Sequence, residues 1–464
     1  MNELRESVAL NVQKLVKWAA SVQADQIPPQ VMARAARIWA DDMAAMIGAR
    51  DEPELASFHR HMLAQSHQQE STVWCGGAHR TDRISAAVAN SVSTNWLELD
   101  EGYRYTPCHA GLYVLPALLS EAEAAGLSCR DVLRALVLGY EIVTRIARAW
   151  SVDSVTMHSH GRYGAIGAAA SVGLARAIDA DTLIAALGGA VTLIGPTPRN
   201  HLVEGVLIRN AWSASGTWNG IMALEWASCG MGGIPAAFFD VYSTVLGGQA
   251  QPEKLLAQLG ENWAVQEGFT KIYACCQHLH SAVEAALDLR ARHPEVAVVA
   301  QIESITVHTH SLALPLINRD PCSTLGAKFS MPHAIAVALA MGQAGASAFS
   351  AKTLTDPTIA PLRARITTLA WSPVLPPPND RPARVAVRLR DGREFSAECL
   401  SASGGPDRPL PEDAWMDKMR ELAEPAYPGI TEIFSQIVAG DEVRLAQDWS
   451  ALVREICQRA SKAG

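Results

Sequence analysis

The sequence predicts a mainly α-helical protein with a large all-helical domain and a smaller α+β domain. Helical spacing of apolar residues dominates up to about residue 265, strand-like alternation begins after about residue 268, and helical spacing returns from Pro411. We therefore assign residues 1–268 and 406–464 to the helical domain and residues 269–405 to the α+β domain. A cleft between two such domains is a common place for a ligand.

The first part of the chain carries apolar residues at positions i, i+3, i+4 and i+7, as amphipathic helices do. The segments with this spacing are Val8–Ala20, Pro28–Met46, Ala86–Trp96, Leu112–Ala125, Cys129–Trp150 and Ile221–Ser228. Ser128, with Asp131 three residues further on, is typical of a helix N-cap. In Gly161–Arg176 a small residue stands at every third or fourth position, which predicts a helix packed very closely against a neighbour.

The α+β part is predicted from alternation and turn residues. Gln301–His308 alternates like a strand, and Arg384–Arg390 and Glu394–Leu400 flank the dipeptide Asp391-Gly392, which is typical of a hairpin turn. The Pro-rich stretch Ser372–Pro382 is predicted to be a loop. Two further helices are predicted at 276–291 and 331–346.

The composition favours a folded protein that binds a small molecule. Apolar residues make up 49% of the 464 residues and charged residues 19%, which is enough for a large core. Lys and Arg number 39 against 47 Asp and Glu, giving a formal net charge of −8. Because nucleic-acid binding needs clustered cations, we expect no nucleic-acid partner. A small anionic ligand needs only a few local cations and remains compatible with this charge.

We expect a cytoplasmic protein without a membrane span. The first 20 residues include Glu3, Arg5, Glu6 and Lys14, unlike a secretory signal, and no stretch is long and apolar enough to cross a bilayer. The nine cysteines have no repeated spacing, so we interpret them as reduced thiols.

We expect neither a metal nor an organic cofactor. Four His-x-His pairs occur, at His59/His61, His158/His160, His278/His280 and His308/His310. Only the last lies on a predicted strand, where residues i and i+2 face the same way, and no third ligand is near it in sequence. The glycine-rich segment GRYGAIG follows no predicted strand, so it does not fit a dinucleotide-binding turn.

Chemistry-bearing residues concentrate in four segments, 97–111, 157–164, 271–280 and 327–333. The first two bring acidic and histidine side chains to helix N-termini, where backbone N–H groups favour an anion and lower the pKa of a histidine. Each segment also has a plain structural interpretation, as a solvated loop, a helix start, a hinge or the beginning of a packed helix. Spacing alone leaves these alternatives open.

The order and spacing of these segments resemble the MmgE/PrpD family over nearly the whole chain. The likeness runs through LELDEGYRYTPCHAGLYVLPALL, HSHGRYGAIGAAASVGLARAI, KIYACCQHLHSAVEAA and AKFSMPHAIAVAL. It implies a large helical domain with a smaller α+β lid, a homodimer, and cofactor-free proton removal beside a carboxylate.

The resemblance also implies roles for individual residues. It places His109, His158 and Lys271 at catalytic positions of the family, and Arg209 where the family has a second lysine. Further substrate-binding positions implied for this chain are Glu98, Asp100, His160, Tyr163, Tyr273 and His280. An arginine keeps its proton at neutral pH, so Arg209 is expected to clamp a carboxylate rather than to transfer a proton.

These residues suit a lyase, most simply a dehydratase, that abstracts a proton next to a carboxylate of a small di- or tricarboxylate. An epimerase or isomerase of an amino- or hydroxy-dicarboxylate would need the same groups, and so would a decarboxylase of the cis-aconitate type. The alternative outside enzymes is a catalytically silent protein that binds a carboxylate.

Overall fold

The computed structural model describes residues 2–151 and 156–463, and it confirms the predicted mainly α-helical fold with a small sheet. The long helices of the first part are α1 (Asn2–Ser21), α2 (Pro29–Gly48), α3 (Pro53–Gln65), α4 (Arg83–Trp96), α5 (Ala110–Ala125), α6 (Cys129–Arg148), α7 (Ser159–Ala175), α8 (Ala180–Ala190) and α9 (Trp212–Ser228). Helix α7 lies at the centre, buried from Ser159 to Leu174, and packs against α5, α6, α8 and α9.

Side-chain caps set where several of these helices begin. The Ser128 side chain accepts a hydrogen bond from the backbone N–H of Asp131 at the start of α6, as the sequence predicts. Asp82 caps α4, and Asp179 caps α8 by accepting from the N–H of Thr182. Helix α3 was not predicted, because few of its residues are buried and its apolar spacing is weak.

Helices α7 and α9 are in contact through glycines, which confirms the close packing predicted from the small-residue pattern. A Cβ added at Gly216 would lie 2.8 Å from the Cα of Gly164. One added at Gly220 would lie 2.3 Å from the carbonyl oxygen of Ala165. Because both obstacles are backbone atoms, neither can rotate out of the way. The contact therefore depends on the absence of side chains at these positions.

We predict that Gly220→Ala lowers the free energy of unfolding by about 1–3 kcal/mol, as overpacking of a core usually does. The measurement is the midpoint of thermal unfolding. The matched control is Gly195→Ala, since an added Cβ there meets nothing within 4 Å. Equal midpoints for the two variants would contradict the close-packing argument.

The α+β part contains helices α10 (His280–Arg292) and α11 (Met331–Met341) and a four-stranded sheet. Its strands are β1 (Ile302–Thr309), β2 (Ile366–Ala370), β3 (Ala383–Leu389) and β4 (Glu394–Cys399), in the order β4-β3-β1-β2. Strands β3 and β4 form the predicted antiparallel hairpin, and β1 pairs parallel with β2. Helix α10 packs on β3 and β4.

Some predicted bounds of the α+β part were wrong. Helix α10 begins at His280, because residues 277–279 form a turn of 3₁₀-helix. Helix α11 ends at Met341, because Gly342 takes a left-handed conformation (φ 71°) that terminates the helix. Strand β2 was not predicted, since most of its side chains are exposed and supply no apolar alternation.

The C-terminal helices return to the first part of the chain. Helices α12 (Glu412–Leu422) and α13 (Ile430–Val438) pack on α2, and α14 (Trp449–Ala463) packs on α5. The rings of Trp39 and Trp449 meet edge to face with their centroids 5.0 Å apart. These contacts agree with one helical unit built from both chain ends, whose bounds stay a prediction.

Two further findings bear on the sequence-based expectations. Among the described residues, no helix is both long enough and apolar enough to cross a membrane. All nine cysteines are described, and each is a free thiol.

Candidate active site

A cavity lies where the α+β part meets the helical part. From the helical part its wall includes Glu98, His109, His158, Arg199 and Arg209. From the α+β part the wall includes Lys271, Cys276, Gln277, His278, Phe329 and Arg381. The structure thus brings together five of the predicted site residues, which are separated by up to 173 positions in sequence (Glu98 to Lys271).

His109 stands immediately before helix α5, with its Nδ1 atom between two acceptors. Nδ1 lies 2.8 Å from the carbonyl oxygen of Glu101 and 2.8 Å from Oδ2 of Asp100. Because both neighbours accept hydrogen bonds, Nδ1 carries the proton and donates it, with the Glu101 carbonyl in the better hydrogen-bonding geometry. Nε2 of the neutral ring is then a free lone pair, which is what a general base needs.

The carboxylate beside His109 stays ionised. Burial alone would raise the pKa of Asp100, but Lys271 and His109 next to it outweigh burial and hold the pKa below its ordinary value. A negative charge at this position would stabilise an imidazolium at His109. Asp100 is 1% exposed, so it acts on His109 from behind the cavity wall.

His158 is held in the opposite tautomer. It precedes helix α7, and its Nδ1 accepts a hydrogen bond from the backbone N–H of His160 at 3.2 Å. Burial lowers the pKa of His158 well below its ordinary value, and the positive charge of Arg209 lowers it further. A neutral ring whose Nδ1 accepts must carry its proton on Nε2. His158 is therefore a hydrogen-bond donor rather than a base.

His160 lies behind the two cavity histidines instead of lining the cavity. It is fully buried, and its ring centroid is 4.3 Å from that of His158 and 5.2 Å from that of His109. Its Nδ1 is 3.0 Å from the hydroxyl of Tyr113, and its Nε2 has no hydrogen-bond partner among the described residues. His160 thus packs against both cavity histidines, and its role in substrate binding stays a prediction.

Three other predicted substrate-binding residues are also absent from the cavity wall. Tyr163 is 4% exposed and packs against Tyr242. Tyr273 and His280 contact each other with ring centroids 5.2 Å apart, and Nε2 of His280 is 3.1 Å from the carbonyl oxygen of Cys275. Burial, with Lys271 nearby, lowers the pKa of His280 to about 3. These side chains support the fold around the cavity.

A chain of alternating buried charges forms one wall. Arg209 pairs with Glu98, Nζ of Lys271 lies 3.7 Å from Oε2 of Glu98, and the same Nζ lies 3.3 Å from Oδ1 of Asp100. Burial would lower the pKa of Lys271, but Asp100 and Glu98 outweigh burial and raise it. Lys271 is therefore a fixed cation and not a base at neutral pH. Arg209 also donates to Asn95 at 2.9 Å.

Glu98 holds this position in a strained backbone conformation. Its φ is 55°, in the left-handed region that a residue with a side chain adopts at a cost of about 1–3 kcal/mol. Glu98 is 2% exposed, and its carboxylate faces two cations. The strain places the carboxylate between Arg209 and Lys271.

The loop that carries Glu98 and Asp100 is held in place by hydrogen bonds to buried side chains of other helices. Nζ of Lys418, on helix α12, donates to the carbonyl of Leu99 at 2.7 Å and to Asp41 at 2.6 Å. The backbone N–H of Glu101 donates to Asp42 at 2.8 Å. The sequence does not mark these residues, because Lys418 lies 319 positions from Leu99 and the two meet only after the chain has folded. A C-terminal helix thereby helps to position the loop that carries Glu98 and Asp100.

Glu101, which is buried behind His109, is itself held by hydrogen bonds. Its carboxyl group accepts from the N–H of Gly111 at 2.5 Å and from the hydroxyl of Tyr140 at 3.0 Å. Burial raises the pKa of Glu101 to about 7. These bonds fix the residue whose carbonyl accepts the hydrogen bond from Nδ1 of His109.

Two arginines of the cavity wall were also missed. Arg199 and Arg381 lie in loops with nearby prolines, GPTPRN and PPPNDRP, on opposite sides of the domain junction. Arg381 lies in the predicted loop Ser372–Pro382, whereas no loop was predicted around Arg199; a cation beside prolines is the sequence signal that the two share. Lys328, in the fourth segment, is buried and donates to the carbonyl of Trp96 at 2.7 Å, with its pKa lowered by burial to about 8.

The His-x-His pairs do not converge with other ligands. Across residues 2–151 and 156–463, no group of three His, Cys, Asp or Glu side chains is arranged to hold a metal ion. Nδ1 of His308 is buried without a hydrogen-bond partner, and Nε2 of His310 lies 3.1 Å from the carbonyl of His278. The independence from metals and cofactors stays a prediction.

Comparison with known proteins gives matches over most of the chain. The MmgE/PrpD N-terminal domain matches residues 13–250, and the MmgE/PrpD C-terminal domain matches residues 273–439. The cis-aconitate decarboxylase-like protein oryM of Aspergillus oryzae is 25% identical over 439 residues, covering 88% of this chain and 90% of that protein. A cis-aconitate decarboxylase of Aspergillus terreus is 26% identical over 453 residues, covering 88% of each.

Proposed function

Because this chain belongs to the MmgE/PrpD family and is an enzyme of that type, we propose that it is a cofactor-independent lyase acting on a small di- or tricarboxylate. The observation that carries the proposal is the opposite hydrogen bonding of two histidines on one cavity. His109 offers a lone pair at Nε2, and His158 offers an N–H at Nε2. Elimination beside a carboxylate needs a base and a hydrogen-bond donor of this kind.

In the proposed dehydration, Nε2 of His109 takes the proton from the carbon next to a substrate carboxylate. Negative charge moves onto that carboxylate, and it is stabilised by the N–H of His158 and by the cations of the wall. The C–O bond at the neighbouring carbon then breaks, and the hydroxide takes the proton from the His109 imidazolium. Water leaves, a C=C bond remains, and His109 is neutral again.

Lys271 and Arg209 contribute as fixed charges in this scheme. Each is already paired with a carboxylate of the protein, so neither needs to reorganise when substrate charge develops. The Asp100 carboxylate compensates the charge on His109 after proton transfer.

Decarboxylation is the second candidate, and the names of the two relatives favour it. In that reaction a C–C bond breaks, CO₂ leaves, and the carbon takes a proton from a protonated His109. Epimerisation needs the same base and hydrogen-bond donor but expels no leaving group from the substrate, and it is the third candidate. A protein that only binds a carboxylate would use the cavity without moving a proton.

The test is proton NMR in D₂O with a panel that includes citrate, 2-methylcitrate, cis-aconitate and malate. Incorporation of deuterium beside a carboxylate supports proton transfer, and the product separates loss of water, loss of CO₂ and inversion. The control is the His109→Asn variant, in which exchange should cease. Substrate binding without exchange in the wild-type protein would contradict the proposed lyase and favour the binding protein.

The expected partner of the chain is a second copy of itself, as the family resemblance implies. We keep this homodimer as a prediction, together with the absence of nucleic-acid and membrane partners.

A further inference from the structure

The cations of the cavity fall into two groups. Arg209 and Lys271 are matched by Glu98 and Asp100, so their charges are largely compensated within the protein. Arg199 and Arg381 differ from them. Among the described residues, Arg199 forms no ion pair, and its guanidinium donates only to the carbonyl of Leu312 at 3.4 Å.

Arg381 is likewise left with little compensation. The neighbouring carboxylate of Asp380 pairs with Arg104, and it lies 3.9 Å from Nε of Arg381. Nη2 of Arg381 donates to the carbonyl of Arg104 at 3.0 Å, and Nη1 donates to Gln277. The Nε atom is buried without a hydrogen-bond partner. Arg381 is thus held by two hydrogen bonds, while three of its five N–H donors, including that of Nε, have no hydrogen-bond partner among the described residues.

The two arginines line the same cavity from different parts of the fold. Arg199 directly precedes a short helix, Asn200–Glu204, whereas Arg381 lies between β2 and β3. Both act on the same side chain: burial lowers the pKa of His278, and the charges of Arg381 and Arg199 lower it further. Nδ1 of His278 is also buried without a partner in the described part of the chain.

We propose that Arg199 and Arg381 form a subsite for a second carboxylate of the substrate, away from the carbon that loses its proton. The proposal rests on the proposed function, and it restricts the substrate to compounds with at least two carboxylates. Guanidinium groups match a carboxylate through paired donors, and a ligand held by both would bridge the two parts of the fold. Such a group would accept hydrogen bonds from guanidinium N–H donors of Arg199 and Arg381 that have no partner in the described part of the chain.

The test measures binding by isothermal titration calorimetry and does not depend on turnover. The probes are tricarballylate, which has three carboxylates and neither a hydroxyl group nor a C=C bond, and butyrate, which has one carboxylate. We expect Arg199→Gln and Arg381→Gln each to raise the Kd of tricarballylate about 10- to 100-fold. The Kd of butyrate should stay within about twofold of the wild-type value.

A matched control is Arg292→Gln. Arg292 is exposed at the end of helix α10, where it pairs with Asp288 at 2.6 Å, and it does not line the cavity. If Arg381→Gln does not fold, Arg381→Lys replaces it, and a loss of at least fivefold is expected because a single ammonium cannot reproduce the planar donors.

Unchanged tricarballylate binding in both variants would overturn the subsite, and so would failure of the wild-type protein to bind tricarballylate. Equal weakening of tricarballylate and butyrate would overturn it as well. Failure of the proposed function looks different: deuterium exchange would be absent while binding of tricarballylate still depended on Arg199 and Arg381.

Discussion

Replacing His109 with asparagine should lower kcat about 100- to 10,000-fold and leave KM nearly unchanged, since a base contributes only while the proton moves. Asparagine keeps a side-chain N–H that can reach the carbonyl of Glu101, so the loop should hold its shape. It has no lone pair that can replace Nε2. The measurement is steady-state kinetics with whichever carboxylate undergoes exchange in D₂O.

The control for this prediction is His61→Asn, because His61 is exposed on helix α3 and hydrogen-bonds only with Gln65 among the described residues. His158→Asn should also lower kcat, but less, because an asparagine N–H can still donate to the substrate carboxylate. A His109→Asn enzyme within threefold of the wild-type kcat would show that another group is the base.

The two histidine roles illustrate what sequence can and cannot specify. The motif around His109 and that around His158 identify both positions, but their order in the chain does not say which ring nitrogen carries the proton. That depends on the Glu101 carbonyl at one ring and on the His160 N–H at the other. Both are backbone groups, and the residue types along the chain do not specify which backbone group meets a given ring nitrogen.

The fold was predictable where a helix has one apolar face. Helix α6 begins at the Ser128 cap, and its apolar residues recur with a helical spacing that is visible directly in the sequence. Strand β2 and helix α3 expose most of their residues, so local sequence carries little information about them. Lys418 shows the remaining limit: it reaches Leu99 across 319 positions, and a lysine on an amphipathic helix is ordinarily solvated.

Removing the Arg209 side chain should affect both stability and catalysis. The sequence favours a substrate clamp, for which Arg209→Ala would raise KM more than it lowers kcat. The structure adds the pairing with Glu98, a carboxylate that is 2% exposed. Without Arg209, the nearest cation to Glu98 is Lys271 at 3.7 Å, which Asp100 shares. An uncompensated buried charge costs about 3–5 kcal/mol.

We therefore expect Arg209→Ala to lower the free energy of unfolding by about 3–5 kcal/mol and to raise KM. Arg209→Lys should recover part of both losses, because lysine restores the charge without the planar donors or the stacking over Phe329. Thermal unfolding and steady-state kinetics measured on the same preparations separate the two effects.

The double variant Glu98→Gln/Arg209→Gln removes both charges together and tests the cause of the instability. If charge compensation is the reason, the double variant should unfold at a higher temperature than Arg209→Gln alone, with a coupling of at least about 2 kcal/mol in the mutant cycle. It should still bind substrate poorly, because the cation of the clamp is gone. Additive effects on stability would instead mean that Arg209 acts through packing. An unchanged KM in Arg209→Ala would leave Lys271, Arg199 and Arg381 as the cations that meet the substrate.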